Sequence, residues 1–148
     1  MPAAAASFPR AIDKRMLNYL LVGLGGAIGT IGRFWLGGVV SRRFGETFPL
    51  GTLVINVTGS FFITFFAALT SPEGRWMVSP GGRMFFMTGI CGGYTTFSSF
   101  SLQTLNLAMD GEWLYAGANA GLSLTLCLLA AWLGQIAAMS LRRIKGAS

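Results

Sequence analysis

The residues best placed to do chemistry in this chain form a hydroxyl-rich turn with two phenylalanines behind it. Gly92 to Phe100 reads GGYTTFSSF, and Phe97 and Phe100 stand three apart, sharing a face of any helix that follows the turn. An aromatic ring has a positive edge and a negative face. Rings offered edge-on suit an anion, and rings offered face-on suit a cation. Ser98, Ser99 and Ser101 flank the pair with hydroxyls. The surrounding run, 84–109, is otherwise apolar enough to cross a membrane, so the turn interrupts a span at depth. Hydrocarbon supplies no water to the freed backbone groups, so such a break survives only where protein or a polar cavity satisfies it. Broken helices are where membrane proteins place ion sites.

Other chemistries lack their parts. The chain has no histidine, and Cys91 and Cys127 are isolated in apolar runs, without the spacing of a zinc site, a redox pair or a disulfide framework. The five acids, Asp13, Glu46, Glu73, Asp110 and Glu112, all fall outside the expected spans. No carboxylate is then buried for acid–base work or proton coupling, and an enzyme is not expected.

The elements that must position the turn follow from composition. The 148 residues are 53% hydrophobic and 11% charged, with mean hydropathy +0.60. That is too apolar for an ordinary soluble domain of one-domain length. The net charge of +6 is carried almost wholly at chain ends and between apolar runs. No basic face interleaved with aromatics appears, so the bilayer, and not nucleic acid, is the expected partner. We expect an all-α integral membrane protein with four transmembrane helices. Residues 1–15 read as a disordered basic leader. The spans fall at 17–40, 50–69, 84–109 broken at 92–96, and 113–141, followed by a basic tail at 142–148. Pro72 and Gly74 stop the second span, and Asp110, Gly111 and Glu112 make a tight turn. Trp35, Trp76 and Trp113 lie near expected span ends, as interfacial anchors do.

Polar residues inside the spans are the remaining candidates. In the first, Gly25, Gly29 and Arg33 recur at four-residue spacing. The glycines suit a packing face; Arg33 either snorkels outward or stands as a fixed charge in an aqueous vestibule. In the second, Thr52, Asn56, Ser60 and Thr64 form a stripe. Hydroxyls can bond the carbonyl one turn back. The Asn56 amide needs a partner helix or a permeant species. In the fourth, Asn119, Ser123 and Cys127 form a polar line beside Gly117 and Gly121, as at a helix interface that borders a watery path.

Taken together, GGAIGTIGR at Gly25 to Arg33, GTLVINVTGS at Gly51 to Ser60 and GICGGYTTFSSFS at Gly89 to Ser101 closely resemble the Fluc (CrcB) family of fluoride channels. The resemblance extends over all four spans. It implies an antiparallel, dual-topology dimer with two fluoride pathways and a structural, untransported Na+ at the centre. By motif position the backbone carbonyls of Gly92 and Thr95 would hold that ion. Phe97 and Phe100 match the phenylalanine box, Asn56 the pore asparagine, Arg33 the vestibule arginine and Ser123 the fourth-helix polar track, with Asn119 and Cys127 neighbouring on it. Ser98 and Thr96 join the path as flanking hydroxyls. Gln103 stands where the family often has Glu, and Cys127 where it often has a small hydroxyl residue.

Charge gives a further expectation. Arg10, Lys14, Arg15, Arg75, Arg83, Arg142, Arg143 and Lys145 share one side of a four-span topology, against Arg42 and Arg43 on the other. That bias favours cytoplasmic termini, whereas dual insertion accompanies a weak one. A homodimer is the preferred expectation, with pairing to an oppositely oriented paralogue as the alternative. The functional expectation is a fluoride-selective channel in the bacterial plasma membrane, passively exporting the cytoplasmic ion. A non-conducting membrane scaffold and a proton-coupled small multidrug-type exporter are the alternatives.

Overall fold

A computed structural model describes residues 13–72, 74 and 76–144, with side chains as far as 141. Most of the expected leader and the end of the expected tail, including Arg10 and Lys145, therefore lie outside the described residues, as do Glu73 and Arg75. The described chain is helical, in the order α1 (Lys14–Phe44), α2 (Leu50–Leu69), α3 (Pro80–Met84), a π-helical segment (Phe85–Cys91), α4 (Gly92–Tyr94), α5 (Phe97–Met109) and α6 (Trp113–Ile144). The elements from Pro80 to Met109 together make the third span.

Each boundary has a local cause. Asp13 caps α1, and Gly45, at φ 80°, ends it by returning its N–H to the Ser41 carbonyl. Helix α2 keeps the expected limits, and beyond Thr70 the Trp76 N–H reaches back to the Leu69 carbonyl at 2.9 Å. The third span begins earlier than the apolar run: Ser79 caps it by accepting from the Gly82 N–H, and Pro80 occupies the first turn, where a missing N–H costs nothing. Leu107 and Ala108 carbonyls receive the Glu112 and Gly111 N–H groups, and Gly111 has φ 81°. This is the paired closure of a Schellman turn.

Helices α1 and α6, of 31 and 32 residues, are about 46 and 48 Å long, well beyond a ~30 Å hydrocarbon core. They, with α2, are long and apolar enough to cross a membrane, and the third span does so only in pieces. Trp76 and Trp113 are exposed next to helix starts. Trp35 is exposed too, nine residues before the end of α1.

The packing divides the third span. Its first half lies against α1 and its second half against α6, while α2 packs most extensively on α6. The α1 contact is made backbone to backbone, as the glycine spacing implied. A Cβ on Gly25 would fall 2.9 Å from the Gly89 Cα, and one on Gly93 2.9 Å from the Gly26 Cα. By contrast Gly117 and Gly121 meet nothing within 4 Å in a single chain.

Candidate functional site

The break is narrower than 92–96. Gly92 and Gly93 remain helical, and the missing side chain of Gly93 serves close approach to Gly26 of α1 and not a turn. The chain leaves the helix at Thr95 (φ −76°, ψ 155°) and Thr96 (φ −149°, ψ 100°). What replaces the helix ladder there comes from α2. Asn56 Oδ1 accepts the Thr96 N–H at 2.8 Å, and Asn56 Nδ2 donates to the Thr96 carbonyl at 3.2 Å. The open question about Asn56 is thus answered in part: it has a protein partner. Its amide still has a second N–H to give.

The side chains around the break finish the job. Thr95 Oγ1 donates to the Cys91 carbonyl at 2.9 Å. Buried Thr96 caps α5, accepting from the Ser99 N–H at 3.3 Å and donating to Ser99 Oγ at 2.9 Å. Tyr94 Oη lies 2.9 Å from Thr58 Oγ1 and so ties α4 to α2. Ser60 and Thr64 back-bond to the carbonyls of Asn56 and Ser60 at 2.7 and 3.0 Å, as hydroxyls in helices do.

Two cavities meet at this Asn56–Thr96 clasp. One, of about 600 Å³, lies between α2, α5 and α6, with Asn56, Thr95, Phe97, Phe100, Ser123 and Cys127 in its wall. The two rings are 5.3 Å apart and tilted by 48°. Phe97 is 77% exposed in the single chain, so the aromatic wall is open on one side. The other cavity, about 530 Å³, lies between α1, the 45–49 loop, α2 and α5 and is bordered by Arg33, Glu46, Thr52, Thr96, Ser99, Gln103 and Asp110. Arg33 is half-buried and stands eleven residues before the end of α1. That is about 16 Å of helix, and the residue lies in the wall of this cavity. Glu46 and Asp110 on the same rim make the vestibule mixed in charge.

The fourth-span line divides. Ser123 and Cys127 face the aromatic cavity, but Asn119 stands behind it, 1% exposed, donating to Thr104 Oγ1 at 2.8 Å. Thr104 in turn donates to the Phe100 carbonyl at 2.7 Å. The buried oxygens Ser123 Oγ, Asn119 Oδ1 and Gln103 Oε1 have no hydrogen-bond partner among the described residues. Such atoms in a native fold call for a water, an ion or a functional role. Ser98 is exposed, within 3.4 Å of Thr96 Oγ1, and borders neither cavity. Thr104 and Tyr94 were missed in the sequence. The only available signal for Thr104 was its helical spacing from Phe100, and Tyr94 had none.

A four-span helical bundle with an interrupted third span and cavities on either side of the interruption has the architecture of a multi-pass membrane transport protein. A family model described as CrcB-like protein, Camphor Resistance (CrcB), matches residues 20–135. Curated relatives agree along nearly their full length. A fluoride-specific ion channel FluC of Opitutus terrae is 62% identical over 131 residues, 88% of this chain and 99% of that protein. One of Paramagnetospirillum magneticum is 59% identical over 128 residues, covering 86% and 100%, and one of Methylocella silvestris is 52% identical over 131 residues, covering 88% and 100%. The chain belongs to the CrcB family.

Proposed function

We propose that this chain is a fluoride-selective channel that lets cytoplasmic fluoride leave the bacterial cell passively through the plasma membrane. The observation that carries the proposal is the wall of the larger cavity: a spare amide N–H on Asn56, the Phe97 and Phe100 rings and the unpartnered Ser123 hydroxyl converge there. Fluoride is small and strongly hydrated. A path for it must replace lost water with donors while holding the ion weakly enough at each step to release it. An amide, a hydroxyl and ring edges supply several modest sites in sequence, and Arg33 puts one positive charge in the wall of the other cavity. Cys127 lies further along the same wall as a weaker donor than a hydroxyl.

The assembly proposed is an antiparallel homodimer. Support comes from the open face at the break: Gly92 and Phe97 are both exposed in one chain, although they sit at mid-span. A second copy would cover them. A structural Na+ fits the same place. The Thr96 N–H, which would ordinarily bond the Gly92 carbonyl, is committed to Asn56, so the carbonyls of Gly92 and Thr95 are suitable oxygen ligands for a hard cation. The ion would supply fixed positive charge between the two copies.

The test is fluoride efflux from liposomes holding this protein alone, followed with a fluoride-selective electrode. Rapid efflux that is independent of an imposed pH gradient supports the channel and the homodimer together. Flux that requires the gradient supports the coupled exporter, and no flux supports the scaffold or a need for a paralogue.

A further inference from the structure

We infer that Asn56 is the positioning residue that creates the cation site, by taking the Thr96 N–H and leaving the Gly92 carbonyl free. This inference rests on the sodium-bearing dimer proposed above. In a continuous helix the Thr96 N–H closes onto the carbonyl four residues back, which is Gly92. The ladder is intact one step earlier, where the Thr95 N–H reaches the Cys91 carbonyl at 3.0 Å. It fails at the next step, where the Asn56 amide binds both backbone groups of Thr96, at 2.8 and 3.2 Å. Gly92 itself is ordinary helix, with φ −65° and ψ −37°, so nothing in its own conformation frees it. Nor do the hydroxyls of α2 help, since Ser60 and Thr64 are spent on their own helix and Thr58 on its own helix and Tyr94 Oη.

One side chain then serves two tasks. With one N–H and its oxygen it holds the break open, and the same residue lines the cavity that carries the aromatic pair. A cation drawing on the Gly92 and Thr95 carbonyls favours the conformation in which Asn56 is fixed, and a fixed Asn56 favours the cation. The coupling is reciprocal by linkage.

The experiment is thermal unfolding of the purified dimer in NaCl and in N-methyl-D-glucamine chloride of equal ionic strength. The wild-type protein is expected to gain stability with sodium, saturably. Asn56→Leu and Asn56→Thr lose that gain, or need about ten-fold more sodium for it. Asn56→Asp, which keeps the acceptor for the Thr96 N–H, retains it, as does the control Thr64→Ala. A wild-type gain in folded Asn56→Leu or Asn56→Thr, or its loss in Asn56→Asp, overturns the inference. A wild-type protein indifferent to sodium removes the sodium reading and this inference with it, while fluoride conduction is judged by the electrode. A second measurement needs no mutant to fold: through-hydrogen-bond NMR coupling is expected from the Thr96 amide nitrogen to the Asn56 side-chain carbonyl. Coupling to the Gly92 carbonyl instead, or to neither, also overturns it.

Discussion

A single methyl group on Gly29 should displace the segment that leads into the break. The Cβ of Gly29→Ala would collide with the Ile90 carbonyl oxygen and lie 2.8 Å from the Tyr94 nitrogen. Both neighbours are backbone, so no side chain can rotate away. Overpacking of this sort costs about 3 kcal/mol at the upper end of its usual range. The intrinsic gain of Ala over Gly in a helix offsets about 1 kcal/mol, which leaves a net loss of about 2 kcal/mol. For a chain of this size that is a fall in Tm of roughly 4–8 °C. The displaced residues lead directly into Thr95, so fluoride efflux should fall with stability. Gly23→Ala is the matched control: its Cβ meets nothing within 4 Å, and it should be neutral or slightly stabilising. The measurements are thermal unfolding in detergent and electrode-monitored efflux from liposomes. If Gly29→Ala and Gly23→Ala behave alike, the backbone contact between α1 and the third span does not position the break.

Phe97→Ile and Phe100→Ile should each depress efflux while leaving dimer assembly intact by size-exclusion chromatography; normal flux in both would remove the aromatic path. Asn119→Leu should cost little stability, about 1 kcal/mol or less, because it removes one interhelical hydrogen bond and also a buried, unpartnered oxygen. A loss above about 3 kcal/mol in its unfolding free energy would mean that a hidden partner holds this amide. Arg33→Gln should slow efflux most at low ionic strength, with the deficit shrinking as salt screens the vestibule; a salt-independent deficit would point to direct contact with the ion.

Much of the fold was legible because membrane spans announce themselves by length and charge. Helix α2 has the limits its apolar run implied, and the glycines of α1 pack as their spacing suggested. The third span was read as broken, but in the wrong detail. Two adjacent glycines look like the breaker, yet Gly93 is helical and its bare Cα is pressed against Gly26. The break falls on two threonines because a side chain forty residues away takes both backbone groups of the second, Thr96, a tertiary cause that no local pattern carries. The π-helical turns from Phe85 to Cys91 were unread for the same reason: they lie against α1 and have no residue signature of their own. Of the site residues, Asn56, Phe97, Phe100, Ser123 and Cys127 converge on one cavity as their spacing allowed. Asn119 stands a layer behind it, because helical spacing fixes a face and not a depth.

The division of the third span bears on how the protein enters a membrane. Pro80 to Tyr94 and Phe97 to Met109 are each shorter than the run of about 20 apolar residues that crosses a bilayer unaided. In the folded bundle each piece is held by a different neighbour, the first by α1 and the second by α6. The clasp from Asn56 on α2 lies at the seam between them. Neither half of the third span is then an independent membrane element, and its folding depends on the helices on both sides of it in the chain.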